Sequence, residues 1–393
     1  MKKIWEKSGK EKLHPMVESF LSGEDIILDW ALVKHEAASS LAHARMLKKT
    51  GMLSAAEFAK AEKGLKEIIA LHAKGQFELK PELEDVHANV EAYLTEKHGV
   101  VGKKIHAGRS RNDQVATAML LYMREEGKKT LQLVEGLCEV LEGLAERYPW
   151  EMPGYTHVQR AMPSTLANLL LSYKESLEAD AEFLEAALKV VDKCPLGACA
   201  GYGSALPLNR AATAKELGFG KLHANTISAI SSRGKNEFMV VSALSAVMLD
   251  LGRMAEDMLL FSTKEFGFVS FGNEFATGSS VMPQKKNYDV LELVRAKGAR
   301  MLGLQVELFA TMKALPSGYN RDAQQTKRAA MEAFKEAQGC LAVLAPMMKG
   351  LKPDKGKMKA ACTPGIYAAQ KATELAKKGV PFREAYREVG GVY

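Results

Sequence analysis

The sequence predicts an all-α protein built around a bundle of long helices, with smaller helical domains at its N- and C-terminal ends. Apolar residues recur every three or four positions along most of the chain, a spacing that gives a helix one apolar face. Alternating patterns typical of strands are scarce. Four of the helical stretches are long for a globular protein and have almost no proline inside, which indicates a bundle of extended helices.

These stretches divide the chain into three parts. The first part has shorter helices with frequent breaks, and a charged segment with one proline at 352–357 marks a boundary before a small helical tail. We therefore expect an N-terminal helical domain at 1–107, a central long-helix domain at 108–350 and a C-terminal helical domain at 351–393. The central domain carries the long helices, which are predicted at 111–148, 165–193, 236–262 and 289–315. Their wide apolar faces indicate self-association, although a monomeric bundle is also compatible with the sequence.

Composition narrows the class of protein. A chain of 393 residues with 47% hydrophobic and 26% charged residues is typical of a soluble globular protein. The first 25 residues hold no apolar stretch of signal-peptide length, and the apolar run at 340–348 is too short to cross a bilayer. We therefore expect a cytoplasmic protein with no membrane association.

Charge and cysteine content exclude further classes. The net charge of +7 is spread over helices in which Lys and Glu alternate, so no nucleic-acid partner is expected. Excess positive charge does suit a small anionic substrate, which it would attract by steering. The five cysteines are an odd number without C-x-x-C spacing, so we expect buried free thiols and no zinc or other metal site.

A loop at 278–287 holds the strongest chemical signal. It reads Gly-Ser-Ser-Val-Met-Pro-Gln-Lys-Lys-Asn, so a hydroxyl, a cation and an amide lie on one segment that starts with glycine. These groups can remove a proton from a carbon beside a carboxylate. The base would be the alkoxide of Ser279, whose negative charge the Lys285 ammonium group offsets. An ordinary turn before a helix would account for Gly-Ser-Ser but not for the whole string.

A second polar cluster, at 108–114, reads Gly-Arg-Ser-Arg-Asn-Asp-Gln just before a long predicted helix. Arginines and an amide at a helix N-terminus form a good site for carboxylates. Ser110, Arg111 and Asn112 are therefore candidates for orienting substrate carboxylates. Capping of the helix is the structural alternative for Ser110 or Asn112.

A third cluster lies in a predicted loop at 154–163, which ends in proline and holds Thr156 and His157. Histidine titrates near neutral pH, so His157, assisted by Thr156, can exchange a proton with a leaving nitrogen. Glu292, at the start of the last long predicted helix, is the candidate charge partner of His157. An isolated histidine before a helix is more often structural than catalytic.

A fourth polar patch, at 318–327, would by itself pass for a polar helix start.

The four segments resemble the fumarase/aspartase superfamily, whose members release fumarate from a succinyl group. The 278–287 loop resembles its signature loop, and residues 106–117 resemble the motif of argininosuccinate lyases more than those of fumarases or adenylosuccinate lyases. The resemblance extends over most of the chain, through 39–44, 195–197 and 379–384. It implies a fumarase-type helical bundle and a homotetramer with active sites shared between chains. It also implies that argininosuccinate is cleaved to arginine and fumarate without a metal or organic cofactor.

The resemblance assigns roles to individual residues. Ser279, the first of the paired serines, matches the catalytic base of the family. Lys285 and Asn287 would stabilise the aci-carboxylate that forms when the proton leaves. Three residues of the fourth patch match positions that contact the amino-acid end of the substrate: Tyr319, Gln324 and Lys327.

The sequence also departs from the family. Tyr288 stands where proline usually follows the asparagine, Gly234 stands where an acidic residue is common, and residues 22–29 match poorly. Two alternatives stay open. A sister enzyme such as adenylosuccinate lyase or aspartase would keep the 278–287 loop but differ at 109–114, and a non-catalytic structural homologue of the crystallin type would keep the fold alone.

Overall fold

The computed structural model describes residues 14–392, and most of this range is helical. The helices α1–α16 span Pro15–Ser22, Asp25–Asp29, Val33–Lys49, Ala55–Ala73, Val86–His98, Val101–Lys104, Arg111–Arg147, Leu166–Val191, Arg210–Glu216, Thr226–Ser231, Lys235–Ser262, Asp289–Met312, Thr326–Lys349, Lys355–Ala361, Ala368–Lys377 and Phe382–Gly390. The strands β1–β8 span Glu151–Thr156, Gln159–Thr165, Lys193–Cys194, Lys221–Leu222, Val269–Ser270, Thr277–Gly278, Lys286–Asn287 and Lys352–Pro353. Single 3-10 turns lie at Trp30–Leu32, Pro81–Leu83, Asn273–Phe275, Arg321–Gln325 and Pro364–Tyr367.

The four long helices predicted from periodicity are confirmed by α7, α8, α11 and α12, whose ends differ from the predicted ends by at most a few residues. A fifth long helix, α13, was not singled out from the sequence. It begins inside the polar patch at 318–327 and carries Pro346 near its end. Both features weaken a sequence signal for a helix, because proline removes a backbone donor and the polar start hides the apolar period.

The predicted loop at 154–163 is instead part of a hairpin. β1 and β2 pair antiparallel over six and seven residues, with Pro153 opposite Pro163. Proline cannot donate to a strand ladder, but a two-stranded ribbon has outward edges on both sides where a missing donor is tolerated. The remaining strands have two residues each.

Contacts between α-carbons divide the chain into two compact units. Unit 1 holds residues up to Lys128, Leu184–Ala243 and Gly303–Phe334, and unit 2 holds Lys129–Phe183, Leu244–Leu302 and the residues from Lys335. Each of the five long helices contributes one part to each unit. Each unit is therefore made of several separate segments and does not correspond to one continuous block of sequence. The boundaries predicted at 107 and 350 stay a prediction.

The core of unit 1 includes the packed helices α3, α4 and α5. Leu47, Leu65, Ile68 and Leu94 on these helices are fully buried. α4 starts in a capping box, in which the Ser54 hydroxyl accepts the N–H of residue 57 and the glutamate there accepts the N–H of Ser54. α5 starts at Asp85, whose carboxylate accepts the N–H three residues on at 2.8 Å. The caps therefore fix where these two helices begin.

Unit 2 contains an aromatic cluster that supports the β1–β2 hairpin. The ring of Tyr155, on β1, lies 5.6 Å from Phe266 and 5.8 Å from Phe261, and Phe268 lies 5.4 Å from Phe266. Tilted and edge-on pairs at such distances add to the stability that burial alone provides. The hairpin is thus anchored close to its turn by large apolar side chains.

Two further expectations concern the surface and the thiols. By length and composition alone α11 is apolar enough to cross a membrane, but half of its most apolar window is buried inside the protein. Core helices of soluble proteins share this property, so α11 is weak evidence for a membrane location. All five cysteines are free, and Cys138, Cys194 and Cys340 are buried as expected, whereas the expectation is wrong for Cys199 and Cys362, which are only partly buried.

Two aspartates face each other inside unit 2. Asp180 on α8 is only 8% exposed, and Asp250 on α11 lies beside it. Burial and the neighbouring carboxylate raise the pKa of Asp180 to about 7. The folded protein therefore favours the protonated carboxyl at a pH where the unfolded chain has already lost that proton.

We predict that this pair makes the protein less stable as the pH rises from about 4 to about 7, between the pKa of Asp180 in the unfolded and in the folded chain. A carboxyl with a raised folded-state pKa contributes stability at low pH and loses it as the pH rises through that pKa. Asp180→Asn should flatten the dependence of the melting temperature on pH over this range. Thermal unfolding of both proteins measures the effect, with Glu182→Gln on the exposed face of α8 as the control. Parallel curves for wild type and Asp180→Asn would contradict the prediction.

Candidate active site

Ser279 begins a surface loop of unit 2. β6 and β7 pair antiparallel, so residues 279–285 form the connection between them. The Ser279 hydroxyl oxygen accepts hydrogen bonds from the backbone N–H groups of Val281 at 3.2 Å and Met282 at 3.1 Å. Donors of this kind favour a negatively charged oxygen over a neutral one. The loop therefore holds the serine oxygen where an alkoxide would be stabilised.

The two neighbouring lysines of this loop differ in their contacts. Lys286 donates to the Asn273 side chain at 2.6 Å. Lys285 is exposed, and its ammonium group has no hydrogen-bond or ion-pair partner among residues 14–392. Asn287 follows on β7 and is half-buried. Lys285 is therefore the cation of the loop that can meet an incoming anion.

His157 lies at the tip of the β1–β2 hairpin. Thr156 pairs with Gln159, so His157 and Val158 form a two-residue turn, with φ values of 54° and 60°. Both angles are in the left-handed region, as in a type I′ turn, where glycine or asparagine is usual. A β-branched valine at such an angle carries backbone strain. The histidine is thus presented to solvent on a short, strained tip.

The predicted partner of His157 is also exposed. Glu292 lies in the first turn of α12. Within the part of one chain that the structure describes, no hydrogen bond or ion pair joins His157 to Glu292 or to Ser279. The pairing of histidine and glutamate therefore stays a prediction.

In unit 1, Ser110 caps α7. Its hydroxyl lies 3.4 Å from the backbone N–H of Asn112, and its own N–H donates to the Asp113 carboxylate at 2.8 Å. The Asp113 carboxylate thus fills the role of the glutamate in a capping box, whereas the serine hydroxyl accepts from the second helical residue and not from the third. The capping interpretation is therefore confirmed for Ser110, and it leaves the serine at the helix N-terminus, where anions bind favourably.

Asp113 fixes this helix start to a second loop. Its other carboxylate oxygen accepts the backbone N–H groups of Gly197 at 2.8 Å and Cys199 at 2.9 Å. Asp113 is fully buried, and burial raises its pKa to about 6 although the three backbone donors oppose this change. One side chain thus satisfies three backbone donors.

Arg111 is held by two acidic residues. Its guanidinium group lies 3.1 Å from a Glu84 oxygen and 3.2 Å from an Asp85 oxygen, both at the start of α5. The side chain is 30% exposed, so part of the five-donor group stays open to solvent. This placement suits a clamp that is already oriented before a carboxylate arrives.

The fourth patch is joined to the N-terminal helices of unit 1. Lys327 is 2% exposed, and its ammonium group lies 3.0 Å from Asp25 and 2.5 Å from Asp29. The amide of Gln324 donates to the backbone oxygen of Leu21 at 2.9 Å. The two carboxylates are functional candidates that sequence reasoning missed, because they fall in the region at 22–29 that matches the family poorly.

Tyr319 lies beside a buried arginine and an apolar cavity of unit 1. The guanidinium of Arg233, which is almost fully buried, lies 6.0 Å from the centre of the Tyr319 ring. The same ring lines a cavity of about 400 Å³ with apolar walls that include Phe238 and Phe309. Burial raises the pKa of Asp25 while the nearby Lys327 lowers it. Arg233 also lowers the pKa of Asp25, so the two carboxylates lie among two cations and the charges balance.

The structure therefore groups the candidates in two sets. Unit 1 holds the residues predicted to orient carboxylates and to contact the amino-acid end: Ser110, Arg111, Asn112, Tyr319, Gln324 and Lys327. Unit 2 holds the residues predicted to take part in the proton transfers: Thr156, His157, Ser279, Lys285, Asn287 and Glu292. Among residues 14–392 no group of three or more His, Cys, Asp or Glu side chains is arranged to hold a metal ion.

The chain is similar to known lyases. A family described as Lyase matches residues 15–303. An argininosuccinate lyase of Bacteroides fragilis is 41% identical over 99% of this chain and 87% of its own length. One of Thermus thermophilus is 45% identical over 93% of this chain and 80% of its own length. A class II fumarase from Schistosoma mansoni has a TM-score of 0.80 over 94% of this chain and 91% of its own, at 16% identity, which confirms the fumarase-type fold.

We predict that Asp113→Ala lowers the free energy of unfolding by about 2–5 kcal/mol, because three backbone donors in a buried place lose their acceptor. Asp113→Asn keeps one acceptor oxygen and should lose less. Denaturant unfolding measures both values, with the exposed Asp322→Ala as the control. A loss for Asp113→Ala no larger than that of the control would show that water replaces the carboxylate.

Proposed function

We propose that this chain, which belongs to the argininosuccinate lyase family, cleaves argininosuccinate reversibly into arginine and fumarate. The observation that carries the proposal is the Ser279 oxygen, which accepts two backbone N–H groups on the same loop as the unpaired Lys285. In a cell the reaction would serve arginine biosynthesis in the cytoplasm. The net charge of +7 would favour the approach of a substrate with several carboxylates.

The first chemical step is removal of a proton from the carbon beside a succinyl carboxylate. Ser279 takes this proton as an alkoxide, and the electron pair moves into the carboxylate to form an aci-carboxylate. This intermediate carries two negative charges on one group and is unstable in water. Lys285 and Asn287 would stabilise it, and an interaction that strengthens as the charge develops accelerates the reaction.

In the second step the bond between carbon and the guanidinium nitrogen breaks. The electron pair of the aci-carboxylate forms the double bond of fumarate, and the departing nitrogen accepts a proton to become part of arginine. His157, assisted by Thr156 and charge-paired with Glu292, supplies the acid for this step. Histidine is the side chain that most often transfers a proton to a departing group.

The remaining candidates orient the substrate. Arg111 and Asn112, next to the capped start of α7, would bind the succinyl carboxylates, and Ser110 would donate its hydroxyl hydrogen. Residues of the fourth patch would hold the amino-acid end: Tyr319, Gln324 and Lys327. The partly exposed Asp25 carboxylate beside Lys327 supports this assignment, because the amino-acid end carries an ammonium group as well as a carboxylate.

The active site is proposed to be shared within a homotetramer. Within one chain the Thr156–His157 turn and the Ser279 loop are both exposed and do not contact each other in the described residues. Large apolar side chains on the long helices are also exposed, among them Leu249, Leu302, Val306 and Phe309. Packing of these faces between chains would bury them and bring the two loops of different chains together.

The direct test is fumarate release, followed by ultraviolet absorbance, with argininosuccinate, adenylosuccinate and aspartate as separate substrates. We predict turnover with argininosuccinate and none of comparable rate with the other two. Ser279→Ala should lower kcat by about 100- to 10,000-fold, the usual contribution of a general base. Lys285→Met should lower kcat by about 100- to 1,000-fold, because a neutral side chain leaves the dianion unstabilised.

Two controls belong to this experiment. Ser280→Ala and Lys286→Met make the same changes one residue further along the loop and should retain most activity. Circular dichroism establishes that each variant is folded. Near-normal turnover by folded Ser279→Ala would remove the serine from its role, and preference for another substrate would replace the proposed reaction.

A second prediction concerns the shared site. Mixed oligomers of His157→Asn and Ser279→Ala chains should regain activity, because some sites then receive an intact histidine and an intact serine from different chains. With random mixing in equal amounts, the chance of an intact site is one half times one half, or about a quarter. Co-refolding of the two inactive variants, followed by the fumarate assay, measures the recovery.

The control is the same mixture prepared without unfolding, in which chains do not exchange. Mass spectrometry of the intact assembly establishes whether mixed oligomers have formed. Activity that stays at the level of the separate variants in confirmed mixed oligomers would mean that each site is built from one chain.

A further inference from the structure

The N-terminus of α5 touches each of the segments that carry proposed substrate residues in unit 1. Its first contact is with Arg111, which is held by Glu84 and Asp85 as described above. Glu84 adopts a φ of 73°, a left-handed conformation that non-glycine residues seldom take. A strained residue at a helix start that also binds a proposed substrate residue points to a functional constraint at this place.

The second contact leads to Lys327. The backbone N–H of Val86, in the first turn of α5, donates to Asp29 at 2.9 Å. The other oxygen of Asp29 lies 2.5 Å from the Lys327 ammonium group. Asp29 thus satisfies an orphan donor of the helix terminus and at the same time holds the lysine.

The third contact leads to the loop at 109–114. Nδ1 of His87 lies 2.8 Å from Glu36 Oε2. Glu36 Oε1 accepts the side-chain amide of Gln114 at 2.8 Å and the hydroxyl of Ser40 at 2.7 Å. The same Ser40 oxygen accepts Arg109 at 2.8 Å. Arg109 and Gln114 flank the three proposed carboxylate-binding residues, so Glu36 holds both ends of that segment.

The central pair of this network is buried and charged. Glu36 is 1% exposed and His87 is 5% exposed. Burial alone would raise the pKa of Glu36, but His87 and Arg109 lower it to about 2. Burial alone would lower the pKa of His87, but Glu36 raises it. The 2.8 Å contact and the two opposing shifts favour the ionised pair, and removal of either side chain would leave the other buried group without its partner.

We propose that Glu36 and His87 are positioning residues of the active site. Through the N-terminus of α5 they fix the loop at 109–114 relative to Lys327 and its partners Asp25 and Asp29. Neither side chain is exposed enough to serve as an acid or base on a substrate. Each acts through other residues: Glu36 through Arg109 and Gln114, and His87 through the helix start that carries Asp85 and Val86. The kinetic consequence rests on the proposed function, whereas the structural consequence does not.

The chain offers a matched control on the same helices. His98, at the other end of α5, lies 3.3 Å from Glu67 on α4, which is a second histidine–glutamate pair without a contact to a proposed substrate residue. Glu36→Gln is therefore compared with Glu67→Gln, and His87→Gln with His98→Gln. Ser40→Ala is added as a mild variant that removes the hydroxyl between Glu36 and Arg109, and with it both hydrogen bonds, but removes no charge.

Two readouts are needed. The first is kcat and KM for fumarate release from argininosuccinate. We expect Glu36→Gln and His87→Gln to lower kcat/KM by about 100-fold, the effect of misplacing reacting groups by about 1 Å, and both controls to stay within about twofold of wild type. The second is hydrogen–deuterium exchange of residues 108–114, which we expect to be faster in Glu36→Gln, His87→Gln and Ser40→Ala and unchanged in the controls.

The outcomes separate the two proposals. If wild type releases no fumarate, the proposed function fails, and exchange at 108–114 alone decides the positioning role. Unchanged exchange in folded Glu36→Gln and His87→Gln would overturn that role, and so would equal losses of kcat/KM in these variants and in the controls. If the two charge-removing variants are insoluble, Ser40→Ala decides by the same criteria, and wild-type exchange and kinetics in that variant would overturn the inference.

Discussion

Charge inside unit 1 is tolerated only because each ionised group has a partner, and this constraint governs how the helices there are placed. Asp29, Glu36, Arg109 and Lys327 are all less than 10% exposed. Removing a charge from water costs several kcal/mol, so each group must lie beside an opposite charge or a hydrogen-bond partner. The helix that best meets this requirement is α5, because its first turn supplies both backbone donors and charged side chains.

Buried ion pairs are weak evidence for stability, since apolar residues of similar size often pack as well. They do restrict the ways in which helices can slide past one another, because a slip by one residue would separate every pair at once. The network from Asp29 to Gln114 therefore fixes α3, α5 and α7 in one register. That register in turn sets the spacing between Arg111 and Lys327, on which a substrate with charges at both ends would depend.

Unit 2 presents its candidate groups in the opposite way. Ser279 and His157 lie on exposed loops, and their positions are set by backbone geometry instead of buried charge. The Ser279 oxygen is held by two N–H groups of its own loop, and His157 by a two-residue turn. Groups that are to react in a water-poor site must be covered from outside, which agrees with a site completed by other chains.

Sequence reasoning succeeded where the signal is local. The long helices were predicted within a few residues because apolar period and proline content act over short stretches, and the motif at 278–287 identifies a loop because its groups are adjacent. The pairing of Lys327 with Asp25 and Asp29 was missed because the partners are separated by 302 and 298 residues. No local pattern encodes such a contact. The hairpin at 151–165 was missed because its prolines and its histidine–valine turn contradict the usual strand and turn signals.

The hairpin turn shows why that contradiction arises. An asparagine–glycine pair would form the same turn without strain, whereas Val158 at a φ of 60° costs about 1–3 kcal/mol. The pairing of β1 with β2 and the aromatic cluster around Tyr155 supply the stability that offsets this cost. A turn held in this way cannot relax toward ordinary loop conformations, so the direction of the His157 ring follows from the backbone. The turn thus departs from the usual residue preferences and leaves the His157 imidazole exposed, without a hydrogen-bond partner among residues 14–392. The proposed role as a proton donor to a ligand requires such an exposed position.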